Sequence, residues 1–308
     1  MASAATASVL APPSVLDQTH NLPQEDQDAL KAAVFQRLHP RVYLERFVRE
    51  EIRPDGRAFG ESREAAVNVG SISTADGSAL VRLGGTTVVC GVKAEIAEPA
   101  LDAAGVGFLV PNVDLPAMCS PRFRPGPPSE EAQVLSERLN QALVASGFVD
   151  LDALCIHPGK AAWVLYVDAT CINYDGNAFD AALLAMVAAL RNTTLPQATY
   201  NEETHRTTCA RAAPRVPLRL SPSTPVAASF GIFDGKYVLA DPTAFEEPLL
   251  EGSVCAVLGA GGAVVSLSQT GSVLVASADG AERDVLAECV AAAQRRRVDL
   301  VRAAFGEE

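Results

Sequence analysis

The residue types best suited to chemistry in this chain stand together at Arg122, Phe123 and Arg124, inside a stretch dense in proline and glycine. A guanidinium pairs bidentately with phosphate oxygens, and an aromatic ring between two of them offers a face for a nucleobase, so Arg122 and Arg124 are candidate RNA contacts. The plainer reading is two solvated arginines on a loop. Other candidates read as structure. Arg53 and Arg57 bracket Asp55-Gly56 as a turn, and Asp175 heads Asp-Gly-Asn, also a turn signal. His157 precedes Pro158-Gly159-Lys160 with no second His or Cys at ligand spacing, which argues against a metal site. Lys160 is a possible contact for RNA or a neighbouring subunit. The GAGGA at 259–263 lies between strand-like runs and does not open a helix, so it lacks the geometry that holds nucleotide phosphates. No cofactor is expected.

The elements that position these residues can be read from pattern. Apolar runs at 79–83 and 86–92 are joined by Gly84-Gly85, and Asp76-Gly77 leads into the first, which predicts antiparallel strands. Before them, 24–51 has helical periodicity broken at Pro40. The segment 101–128 reads as an extended connection. Ser129 then offers an N-cap, Glu130 and Glu131 suit a helix start, and Leu135, Leu139 and Leu143 mark a buried face. The run at 161–172 is apolar enough for a central strand, and the helix after Asn177 is apolar on every side. Residues 200–217 turn polar and read as an exposed crossing. Two further hairpins, through Asp234-Gly235 and through the glycines at 259, 261 and 262, precede a helix at 281–305. Strands then a helix, twice over, predict a duplicated α+β unit: a tail at 1–30, a first domain at 31–205 and a second at 206–308.

Composition narrows the function classes. A formal net charge of −12 opposes a surface that attracts nucleic acid as a whole, so any RNA contact is local or shared with partners. Hydrophobic residues make up 48% of the 308, and the mean hydropathy is +0.15, enough for two medium cores. The seven cysteines form no CxxC pair and several sit in apolar strands, which predicts reduced, buried thiols. No apolar run reaches the roughly 18–20 residues of a membrane helix. The first fifteen residues carry no Lys or Arg, unlike a secretory or transit leader, and Arg295-Arg296-Arg297 suits a helix end better than a nuclear address.

The order VNVGSISTADGSALVRLGGTTVVCGVKAEI, followed by VPNVDLP, RFRPGPPSEEAQV and INYDGN, resembles the ribonuclease PH family. The resemblance spans roughly residues 45–305 and implies that family's α+β fold, ribosomal protein S5 domain 2-like, with two related β-sheet-plus-helix domains. Its members are phosphate-dependent 3′-to-5′ exonucleases or silent ring subunits of the RNA exosome. Active members resemble one another in an arginine after the extended segment, a second arginine in the next helix, and two acids six residues apart in the second domain. Here the second arginine falls at Asn140 or Gln141, and the acids at Glu246 and Gly252. Arg138 would replace the missing arginine only with a register shift, which turns a helical side chain by roughly 100 to 200°. A positioned acid or base is worth roughly 10² to 10⁴-fold, so its loss with a phosphate clamp implies a non-catalytic subunit. The implied partners are other ribonuclease PH-type ring subunits, S1/KH-type cap subunits and RNA passing through the assembled channel. The implied locations are nucleus, nucleolus and cytoplasm, and the implied work is ribosomal RNA maturation and RNA turnover. Two alternatives stand beside it: an active phosphorolytic exonuclease, and a free-standing RNA-binding module, which the acidic balance disfavours.

Overall fold

The computed structural model describes residues 24–209, 214–272 and 284–306; the expected tail up to residue 23 and the first residues of the expected C-terminal helix, 281–283, lie outside them. The chain forms two compact units, Met1–Gly56 and Arg57–Glu308. The first holds α1 (Gln24–Leu38) and α2 (Pro40–Arg49), divided where the sequence breaks, with Pro40 in the first turn of α2. Proline is tolerated there because that N–H has no helical partner. Phe35, His39, Tyr43 and Phe47 stack along the joint, and the Arg46 guanidinium lies 4.6 Å from the Phe35 ring centre. Helix α1 therefore begins inside the stretch read as tail.

In the second unit, β1 (Ala65–Val69), β2 (Gly77–Leu83) and β3 (Thr86–Ala97) form the expected meander. The segment read as an extended connection contains a strand, β4 (Phe108–Asp114). Its Pro111 is compatible because β4 is an edge strand and only one of its sides must donate to the ladder. Helix α3 (Glu130–Ser146) is capped by Ser129, whose hydroxyl accepts from Ala132 N, and ends at Gly147 in the left-handed conformation. After the short β5 (Cys155–His157) comes β6 (Ala161–Asn173), central in a sheet of order β1-β2-β3-β6-β4 with β5 also on β6; β4 runs parallel to it.

Helix α4 (Ala178–Arg191) is buried from Ala178 through Leu190, save Asp180. Its alanines, and the bare backbone of Gly77, allow close approach: a side chain at Gly77 would overlap Thr193 and come within 2.6 Å of the Ala189 carbonyl. The stretch read as an exposed crossing carries its own pairing, a hairpin of β8 (Ala198–Asn201) and β9 (Arg206–Cys209), and β10 (Val216–Pro217) on β7 (Thr194–Leu195). Side chains alternating between solvent and neighbours on so short a ribbon give little apolar signal to read.

The second sheet has order β12-β11-β13-β14, from β11 (Val226–Phe233), β12 (Tyr237–Ala240), β13 (Gly252–Leu258) and β14 (Val264–Gly271). Asp234 and Gly235 both take positive φ, 53° and 56°, the turn that the first of the two later hairpins predicts. Helix α5 (Val285–Phe305), capped by the Asp284 carboxylate, covers β11 and β13. Helix α4 packs on β2 and β3 of the first sheet and on β11 of the second, so one apolar cluster runs through both.

Candidate functional site

Where α3, the N-terminus of α4 and the start of β13 meet, a cleft of about 730 Å³ opens. Glu131, Val134, Leu135 and Arg138 enter it from α3 at i, i+3, i+4 and i+7, one helical face. Arg122 comes from the loop after β4, Tyr174 and Asn177 from the end of β6, and Glu247, Glu251 and Gly252 from the turn before β13. A second depression of about 780 Å³, around Val144, Gly147 and Arg219, brings together none of the candidate residues.

Arg122 is tied down within the cleft. Its guanidinium donates to Glu131 at 2.9 Å, stands 3.9 Å from Glu247, and lies 5.8 and 5.9 Å from the ring centres of Phe123 and Tyr174. Glu247 is engaged on both oxygens: one accepts from the Tyr174 hydroxyl at 2.7 Å and the other from Asn177 N at 2.8 Å. Burial, reinforced by Glu247, pushes the Tyr174 phenol well up, so it remains a donor. Burial also raises the Glu131 carboxyl; Glu247 adds to that rise and Arg122 opposes it. Arg138 lies over the Phe179 ring, 4.5 Å from its centre, and donates to Ser268 at 3.0 Å. The lining holds two arginines against Glu130, Glu131, Glu247 and Glu251, an acidic excess.

These positions correct the reading of the helix. The arginine on the cleft face is Arg138, which the register comparison set aside. Asn140 points 200° round the helix from it and lines a separate groove beside β4, while Gln141 bonds Glu137 at 2.8 Å on the exposed side. The acidic positions change as well. Glu246 is buried and its carboxylate accepts from Thr243 N and Oγ1, at 2.8 and 3.0 Å, closing the turn in place of facing the cleft; the facing carboxylate is its neighbour Glu247. Gly252 does line the cleft, and a Cβ there would overlap the Ser272 carbonyl oxygen. Arg124 is exposed and outside the lining, and His157 bonds Glu202 at 3.3 Å on the surface. Among the described residues no group of three His, Cys, Asp or Glu is placed to hold a metal ion. Glu247 and Tyr174 had no motif to mark them; the helical spacing from Glu131 to Arg138 was the available signal for Arg138.

Behind the cleft a buried network joins the two sheets. The Arg63 guanidinium donates to both oxygens of Asp241 at 2.8 Å, and to the carbonyls of Asp175 and Gly176 at 2.7 and 3.3 Å. Asn177 donates from Nδ2 to Asp241 at 2.6 Å and to Asp180 at 2.8 Å, while its N–H reaches Glu247. Burial alone would raise Asp241, but Arg63 outweighs it and holds the carboxyl down at about 2. Asp180, with burial dominant and Asp241 nearby, is pushed up to about 6 despite bonds from Asn177 and Ser229. Asp175, a turn residue in sequence, serves here through its carbonyl and, at 3.4 Å from Arg63, its carboxylate. The turn glycines make room: a side chain at Gly84 would overlap Arg63, and one at Gly85 would meet Asp175 at 2.5 Å.

With this geometry in view, similarity to known proteins can be placed on it. Residues 61–196 match the family model "3′ exoribonuclease family, domain 1" and 223–296 match "3′ exoribonuclease family, domain 2". The chain is 47% identical over 218 residues to "Exosome complex component rrp43" of Schizosaccharomyces pombe, covering 70% of this chain and 79% of that protein. It is 36% identical over 212 residues to "Exosome complex component Rrp42" of Pyrococcus furiosus, covering 69% and 75%. Among solved structures, a chain of the Archaeoglobus fulgidus exosome with RNA bound to the active site superposes with a TM-score of 0.73 at 30% identity, covering 84% of this chain and 95% of that one. A chain of an archaeal exosome core superposes with a TM-score of 0.70 at 27% identity, covering 87% and 96%.

Proposed function

The chain belongs to the 3′ exoribonuclease family of ribonuclease PH proteins, and from that premise we propose that it is a ring subunit of the RNA exosome core that does not itself cut RNA. In this reading it supports 3′-to-5′ RNA processing and decay beside other ribonuclease PH-type subunits and S1/KH-type caps, in nucleus, nucleolus and cytoplasm. The names and assemblies of its relatives support the place in the ring.

The observation that carries the non-catalytic half is the state of the cleft's charged groups. Phosphorolysis asks cations to gather a phosphate dianion next to a carboxylate available for proton transfer or metal binding. Arg122 is held by Glu131, Arg138 lies on Phe179, and Glu247 has both oxygens engaged. The acidic excess repels the anion that would have to enter. The presence of Arg122 and Arg138 in one cleft is what favours the rival reading, an active exonuclease. Incubating the purified full chain, alone and in its ring, with single-stranded RNA and inorganic phosphate discriminates the two. No nucleoside diphosphate release from this subunit is expected. Release that disappears with Arg138→Gln would establish the rival. Arg124, exposed on the loop that follows β4, remains a proposed RNA contact of the assembled ring, whereas Arg122 is tied to Glu131 in the acidic cleft.

A further inference from the structure

The cleft is unsuited to phosphate, yet it is walled for a ligand of another kind. Val134, 54% exposed, and the half-buried Leu250 present apolar surface to it, with Leu115, Leu135, Phe179 and Val254 buried beneath them. Its volume of about 730 Å³ falls in the range of sites that hold a ligand of several residues or of drug size. Four glutamates stand among these walls.

Arg122 shows what chemistry the place accepts. A guanidinium sits between two carboxylates, Glu131 at 2.9 Å and Glu247 at 3.9 Å, with the Phe123 and Tyr174 rings just under 6 Å away. Planar cation, paired acids and aromatic faces are the usual surroundings of a recognised arginine. The side chain that occupies this seat is half exposed, on a loop rich in proline and glycine, so the seat opens to solvent.

We propose that this cleft docks an extended segment of another protein in which arginine alternates with apolar residues, the arginines meeting the glutamates and the apolar side chains meeting Val134 and Leu250. The inference rests on the non-catalytic reading of the same cleft. Charge complementarity selects this occupant: an arginine-bearing segment relieves the carboxylate excess, whereas an RNA phosphate adds to it.

The test uses the full chain, alone and in its ring, with a fluorescent hexapeptide of alternating leucine and arginine, a leucine-glutamine control and single-stranded oligoadenylate. Anisotropy should show binding of the arginine peptide and at least tenfold weaker binding of the control. Paired substitution Glu130→Gln with Glu131→Gln should weaken the arginine peptide roughly fivefold, in the range of partly exposed ion pairs. Val134→Lys, an exposed change that leaves the fold intact, should weaken it by about tenfold. Equal binding of the two peptides, or affinity unmoved by either variant, overturns the proposal. So does oligoadenylate that displaces the peptide and loses affinity on Arg138→Gln, which would assign the cleft to RNA. Nucleoside diphosphate release is followed in the same samples and reports separately on the non-catalytic reading.

Discussion

Asp180→Asn should make this protein more stable at neutral pH, an unusual expectation for a buried, fully bonded carboxylate. Asp180 stands in the first turn of α4, where the helix dipole favours its charge, yet burial and Asp241 raise its carboxyl from 3.8 to about 6. At roughly 1.36 kcal/mol per unit, the ionised form costs up to about 3 kcal/mol in the fold. A cavity of about 20 Å³ beside it, large enough for one water, tempers that figure. Asparagine preserves the bonding. Its carbonyl can replace Oδ2, which accepts from Asn177 Nδ2 at 2.8 Å and Ser229 N at 2.9 Å; its amide can replace Oδ1, with the Ser229 hydroxyl turning to accept. The rise to about 6 is already net of the bonds from Asn177 and Ser229, so what offsets the relief, by about half, is the water-sized cavity and the less favourable fit of an amide in a site shaped for a carboxylate. The net gain is about 1 kcal/mol, or roughly 2–4 °C in Tm for a unit of this size. Its pH dependence follows from the sign of the shift. A carboxyl whose folded pKa exceeds its unfolded one contributes fully below pH 4 and loses that contribution as pH rises toward 6. The advantage of the asparagine variant should therefore be near zero at pH 4, grow through pH 4 to 6, and stay constant at pH 7 to 8. Melting curves of both proteins across that range measure it. A variant less stable at pH 8, or a difference that ignores pH, would refute the reasoning.

Two further substitutions address the neighbouring features. Arg63→Met should cost roughly 3 kcal/mol in chemical unfolding, because it takes the two short guanidinium bonds from the buried Asp241 carboxylate and leaves it the longer Arg57 contact at 3.5 Å; Arg63→Met with Asp241→Leu should recover part of the loss. Gly252→Asp, which puts a carboxyl on the cleft wall, should lower stability by about 1–3 kcal/mol through overlap with Ser272 and should bring no nucleoside diphosphate release; a stable, active variant would overturn both the steric and the functional argument.

The parts of the fold that were legible in sequence are those fixed locally. The Gly84-Gly85 and Asp234-Gly235 turns, the Ser129 cap and the all-apolar α4 each announce themselves within a few residues. The edge strand β4 was hidden because its partner residues in β6 lie 56 positions away and Pro111 argues against a strand. The site was harder, since it depends on phase. Two or three residues of slip on α3 exchange Arg138 for Asn140 or Gln141, which face elsewhere, and one residue in the 243–250 turn exchanges Glu247 for Glu246, whose carboxylate closes its own loop. Family resemblance over a few residues does not fix so small an offset next to short turns. The Arg63 network was illegible for another reason: its members come from four separated segments, and no spacing relates them.

Helix α4 is shared property. Because it fills the floor of one sheet and the ceiling of the other, neither repeat owns a complete interior, and separating them would leave twelve apolar or small side chains short of a neighbour on one flank.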